Sequence, residues 1–137
     1  MSSGLVTFAL GEREYATPLS SVREVVRLEG LADLPGMTPP LAGVLDLRGT
    51  ALPVLDLRLG DRDARGDVLV LEGADGQLLG VAVDRVRAVV EEGELGVGGA
   101  AGDELPDYVV EVLRGTAGPV FLVDLTRMVD SARRAVR

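Results

Sequence analysis

The chain has 137 residues, a 47% hydrophobic content and a formal net charge of −8, with an isoelectric point near 4.5. Such a length builds one compact core or two small ones, and the acidic balance argues against nucleic acid and direct membrane binding, since both partners carry the same sign. Cysteine and histidine are absent, which removes disulfides, thiolate metal sites, the commonest general base and the commonest metal ligand.

From the N-terminus, "LVTFALGEREYATPL" reads as a strand, a polar turn at Gly11-Glu12 and a return strand, with Val6, Phe8 and Leu10 on one face. No basic leader precedes it, so it does not resemble a secretory signal. No apolar run approaches the ~20 residues that span a bilayer, and the expected location is cytoplasmic. "SSVREVV" at 20–26 continues as strand, and "EGLADLPGMTPPLAG" at 29–43, with three of the seven prolines, reads as a loop. "GVLDLRGTALPVLDLR" at 43–58 then reads as two strands joined at Arg48-Gly49.

The second half repeats the first. "RGTALPVLDL" at 48–57 returns as "RGTAGPVFLVDL" at 114–125, "SSVREVV" at 20–26 returns as "DRVRAVV" at 84–90, and "VLVLEGADGQLLGVAV" is a second strand-turn-strand, with Asp75-Gly76 in its turn. Each unit of roughly 60 residues matches a small barrel of about five strands. It buries too little apolar area to stand comfortably alone, so two units sharing a core are expected, divided as 5–62 and 63–130. The stretch 91–107, with five glycines, reads as a mobile linker. "LTRMVDSARRAVR" reads as a helix capped by Asp124, with Leu125, Met128, Val129 and Ala132 on one face.

Few residues are equipped for chemistry. Asp46, Asp56, Asp84 and Asp124 each follow an apolar run, and four converging carboxylates would suit a metal-dependent or acid/base enzyme. Equivalent positions in two separate barrels lie apart, so the expectation is that these residues cap turns and face water. No histidine, cysteine or lysine is present to activate a hydroxyl. We expect no enzyme activity, no catalytic residue, no cofactor and no metal. Arg48 admits two readings: a turn residue left in solvent, or a planar fork offered to a partner's carboxylate.

Four segments in order, "FALGEREYATPLSSVREVV", "LPGMTPPLAGVLDLRGTALPVLDLR", "GVAVDRVRAVV" and "YVVEVLRGTAGPVFLVDL", resemble the CheW family of chemotaxis coupling proteins across nearly the whole chain. The resemblance implies an all-β fold of two packed SH3-like five-stranded barrels forming one domain over 1–137, with short helices in loops and at the C-terminus. It leaves open an exchange of the N-terminal strand between the barrels. It implies a non-enzymatic adaptor joining the cytoplasmic tips of chemoreceptors to the regulatory domain of a CheA-type histidine kinase, and leaves open ring assembly with the kinase or with itself. A diverged adaptor of a pilus, gliding or developmental pathway is the alternative. Val22, Glu24, Gly43 and Arg48 fall on the family's coupling positions. Gly49 completes the Leu-Arg-Gly turn, and Leu45 is expected to add apolar contact beside Val22. Asp46 stands where many relatives have asparagine and is placed to pair with Arg48.

Overall fold

In a computed structural model describing residues 4–61, 63–73, 75–100 and 104–135, the alternating segments form eleven strands in two sheets. The first five are β1 (Gly4–Leu10), β2 (Arg13–Pro18), β3 (Glu24–Arg27), β4 (Leu41–Leu47) and β5 (Thr50–Asp56). The others are β6 (Asp67–Glu72), β7 (Leu78–Val83), β8 (Arg85–Glu91), β9 (Gly96–Ala100), β10 (Val109–Gly115) and β11 (Gly118–Val123). One 3-10 turn covers Leu19–Ser21, another Glu92–Glu94, and the helix α1 runs from Leu125 to Arg134.

One sheet has the order β3-β6-β7-β5-β4, the other β8-β1-β2-β11-β10-β9. The orders superpose when β3 is set on β8, β6 on β1, β7 on β2, β5 on β11 and β4 on β10. Each sheet even places its one parallel pair, β5 with β7 and β11 with β2, at the same point. The duplication read in the sequence is therefore real at the level of topology, but its halves are not the barrels. Each unit hands its leading hairpin to the other: β1–β2 completes the sheet built from 85–123, and β6–β7 completes the sheet built from 24–56. The division at 62/63 is accordingly corrected to a continuous barrel over 24–83 and a discontinuous one formed by 4–18 with 85–123. A whole hairpin is exchanged, in both directions, rather than one strand.

Alternation along the strands explains how the two barrels share a core. In β6, Val68 and Val70 point into the first barrel with Leu52, Val54 and Ala82, while Leu69 and Leu71 point out of it. Those outward residues meet Val6, Phe8 and Leu10 of β1, Val81 and Val83 of β7, and Leu125, Met128 and Val129 of α1. Strands buried on both faces read as continuous apolar runs, which is why "VLVL" carries no polar residue. The second barrel has its own smaller interior of Leu5, Ala16, Leu113 and Val120.

Two elements differ from expectation. The glycine-rich stretch 91–107 contains the 3-10 turn and β9, which pairs with β10 and gives that sheet a sixth strand. Glycine permits this pairing, because a Cβ on Gly98 would lie 2.9 Å from the Val112 carbonyl oxygen. Within the segment read as a loop at 29–43, Ala32 bridges Val44 of β4. The helix is as expected: the Asp124 side chain accepts the Arg127 backbone N–H, and the apolar face of Leu125, Met128 and Val129 is buried.

Candidate docking site at the Arg48 hairpin

The β4–β5 hairpin pairs Leu47 with Thr50, leaving Arg48 and Gly49 as a two-residue loop with φ of +50° and +89°. Positive φ at both central positions defines the type I′ turn that suits the strand twist. Glycine is at ease there, whereas arginine bears a steric cost. Arg48 is the only non-glycine residue with positive φ among the described residues. The Asp46 carboxylate braces the turn by accepting the Gly49 N–H at 2.8 Å. Asp46 thus pairs with the backbone, and the expected ion pair between it and Arg48 is replaced by another.

That other partner is Glu24. Nη2 of Arg48 donates to both carboxylate oxygens of Glu24, at 2.9 and 2.7 Å. Glu24 opens β3 and Arg48 follows β4, the two edge strands of this sheet, so the ion pair spans from one edge to the other. The hydrogen bond from Arg48 is the main reason the Glu24 pKa lies below its ordinary value; the same bond raises that of Arg48. The Arg48 side chain remains 70% exposed and Glu24 30%. With only Nη2 engaged, Nε and Nη1 keep their N–H groups for another acceptor.

The remaining sequence-derived residues divide between support and core. Gly43 lies where a Cβ would collide with the Ala32 carbonyl oxygen and the Leu31 side chain; glycine lets that segment cross β4 and bond to Val44 in both directions at 2.9 Å. Gly49 meets nothing within 4 Å and is required by its φ alone. Val22 is half-buried against the shared core. Leu45 is corrected: it is 5% exposed inside the first barrel and presents no surface contact. The exposed apolar residue next to Glu24 is Val25.

A second arginine was missed. Arg58 follows β5 and is buried, its side chain 1% exposed beside Asp56 at 5%. Nε and Nη2 form a fork onto the two Asp56 oxygens at 3.0 Å each, and Nη1 donates to the Ala64 carbonyl at 2.7 Å. The Asp56 hydrogen bond raises the Arg58 pKa. Asp56 therefore does not face water as expected; the signal available was the spacing Asp-x-Arg just past an apolar strand. Asp84 accepts the Gly11 N–H at 2.7 Å and Asp124 caps α1, so the four aspartates serve four separate local structures.

The topology defines a double SH3-like barrel protein carrying an exposed arginine clasp on one barrel. This chain belongs to the CheW-like domain family, whose model matches residues 4–133. Among curated relatives, the chain is 29% identical over 96 residues to "Chemotaxis protein CheW" of Treponema pallidum, a match covering 63% of this chain and 56% of the relative. It is 32% identical over 92 residues to "Probable chemotaxis protein CheW" of Rhizobium etli, covering 63% and 59%. The chain thus spans under two thirds of the length of these relatives. Among solved structures, the scaffolding protein TtCheW of Thermoanaerobacter tengcongensis superposes with a TM-score of 0.73 at 24% identity, covering 91% of this chain and 86% of that one.

Proposed function

We propose that this chain is a non-enzymatic chemotaxis adaptor on the cytoplasmic side, coupling the tips of chemoreceptors to the regulatory domain of a CheA-type histidine kinase. The observation that carries the reading is the Arg48 clasp in a chain of this family: the Leu-Arg-Gly turn is intact, exposed and held in a rotamer by Glu24. Receptor tips of this kind present carboxylates on a helical coiled coil. Nε and Nη1 of Arg48 supply the donors for such a carboxylate, and Glu24 removes the freedom that the long side chain would otherwise lose on binding. Contacts of this type set orientation and partner choice more than affinity. The kinase's related two-barrel domain docks at the barrel ends, and the matching strand orders of the two sheets support a pseudo-symmetric contact of that sort. The same edges allow ring assembly.

The test is a pull-down from the native cytoplasm with wild type and Arg48→Glu in parallel, identifying partners by mass spectrometry. Wild type is expected to recover a receptor and a histidine kinase. Arg48→Glu sets a second acid beside Glu24 at an exposed position, and is expected to lose the receptor while keeping its circular dichroism spectrum. Undiminished recovery of the receptor by the folded variant would overturn the role of Arg48.

A further inference from the structure

At a φ of +50°, the Arg48 backbone stands in the left-handed region, where a type I′ turn ordinarily carries asparagine, aspartate or glycine. Packing does not force it there. Arg48, Gly49 and Thr50 are all exposed, and a Cβ added at Gly49 would find no atom within 4 Å. Among the described residues, the one side chain that reaches the backbone of this turn is Asp46, whose Oδ1 accepts the Gly49 N–H at 2.8 Å. The bond fixes the peptide that follows Arg48, and with it the direction in which the arginine leaves the chain.

That direction decides whether the clasp forms. Glu24 lies on β3, at the other edge of the sheet from β4, and Nη2 of Arg48 meets its two oxygens at 2.9 and 2.7 Å. A guanidinium ends a long side chain, so a backbone rotation at Arg48 is magnified at Nη2. Relaxation of the turn toward extended backbone would carry the group away from Glu24.

The molecule contains its own comparison. Leu47-Arg48-Gly49 and Leu113-Arg114-Gly115 are the same tripeptide, but the position two before the arginine is Asp46 in one and Val112 in the other. With valine there, which offers no acceptor, Arg114 and Gly115 continue β10, and neither takes a positive φ. Arg114 enters no ion pair among the described residues. The repeat with the aspartate has turn and clasp together; the repeat without it has neither.

We propose that Asp46 is a positioning residue for the docking arginine: acting through the Gly49 N–H, it holds Arg48 in the left-handed turn that aims its guanidinium at Glu24 and leaves Nε and Nη1 to a partner. Its importance for docking rests on the coupling role given to Arg48, but the first test needs no receptor. The Glu24 carboxyl is titrated by NMR in the full chain, in wild type, Asp46→Ala and Asp46→Asn. The charges that act on Glu24 are Arg48, whose hydrogen bond holds its pKa down, and Arg23, which adds to this. Removing the negative charge of Asp46 by itself would lower the Glu24 pKa further, whereas releasing Arg48 raises it. The sign therefore separates the two effects. In Asp46→Ala the Glu24 pKa is expected to rise toward its ordinary value, and Asp46→Asn, which keeps an oxygen acceptor without the charge, is expected to hold it down. Asp46 is exposed, and both variants are expected to keep the wild-type circular dichroism spectrum. In the pull-down, Asp46→Ala is expected to recover about threefold less receptor, the size of a single exposed ion contact, and Asp46→Asn as much as wild type. A Glu24 pKa that stays or falls in Asp46→Ala, or that rises equally in Asp46→Asn, would overturn the positioning role. A Glu24 pKa that rises as expected with receptor recovery undiminished would leave that role standing and overturn the coupling role of Arg48 instead.

Discussion

The two ion pairs flanking β5 use the same chemical groups to opposite ends. Arg58 turns its fork squarely onto Asp56, spends its remaining nitrogen on Ala64 and vanishes from solvent. Arg48 touches Glu24 through one nitrogen and keeps most of its surface in water. A buried pair must satisfy its donors internally, since desolvation is repaid only by complete pairing. An exposed pair is under no such demand and retains donors in reserve. The difference separates an arginine committed to holding a segment of chain from one available to a second molecule.

Asp56→Ala breaks the comparison most severely. It removes the carboxylate that pairs two nitrogens of the buried Arg58 guanidinium, at a cost of about 3–5 kcal/mol, and with about 2–4 °C lost per kcal/mol the thermal midpoint is expected to fall by roughly 10 °C. Loss of less than a degree would mean that water reaches the pair. Gly43→Ala forces apart β4 and the Leu31-Ala32 segment, and about 1–3 kcal/mol is expected from denaturant unfolding, with faster hydrogen exchange at Ala32 and Val44. Gly49→Ala meets no atoms and carries only the backbone cost of its φ of +89°, about 1 kcal/mol.

The smallest effect belongs to Glu24→Gln, and its pH dependence identifies it. The Glu24 pKa is lowered in the folded state, so its contribution is present above the ordinary glutamate pKa and is lost as the pH falls through the folded value. Urea midpoints of wild type and Glu24→Gln are expected to differ slightly at pH 7 and to converge in acid. A gap that persists unchanged in acid would show that the charge on Glu24 is not what matters.

Period-two alternation made the strands and hairpins legible, and the repeated words made the duplication legible. Neither told which sheet a hairpin joins: alternation reports inside and outside, but β1 and β6 are buried on both faces whichever barrel receives them. The same words also misled in detail. Arg48-Gly49 is a turn, whereas Arg114-Gly115 lies within β10, paired with Pro119 and Gly118, and the turn moves to Thr116-Ala117. Two additional residues before the second valine-aspartate shift the loop, and at the position matching Glu24 the second repeat has Ala88. The clasp therefore exists once. Of the site, Arg48 and Glu24 were visible through family likeness; Leu45 was misplaced because the facing direction of a strand residue is fixed by a register the sequence does not state, and β9 was hidden by its glycines.

The single residue Asp84 between β7 and β8 makes the return from one sheet to the other, so the chain leaves the discontinuous barrel after β2 and re-enters it once. The unit that was duplicated and the unit that can be dissected are consequently different objects. A fragment spanning 24–83 carries all five strands and the interior of one barrel, whereas a fragment ending at 62 strands a hairpin without its sheet and a sheet without its hairpin. Shuffling this domain by recombination thus has only one clean pair of cut points, and they fall inside the repeats.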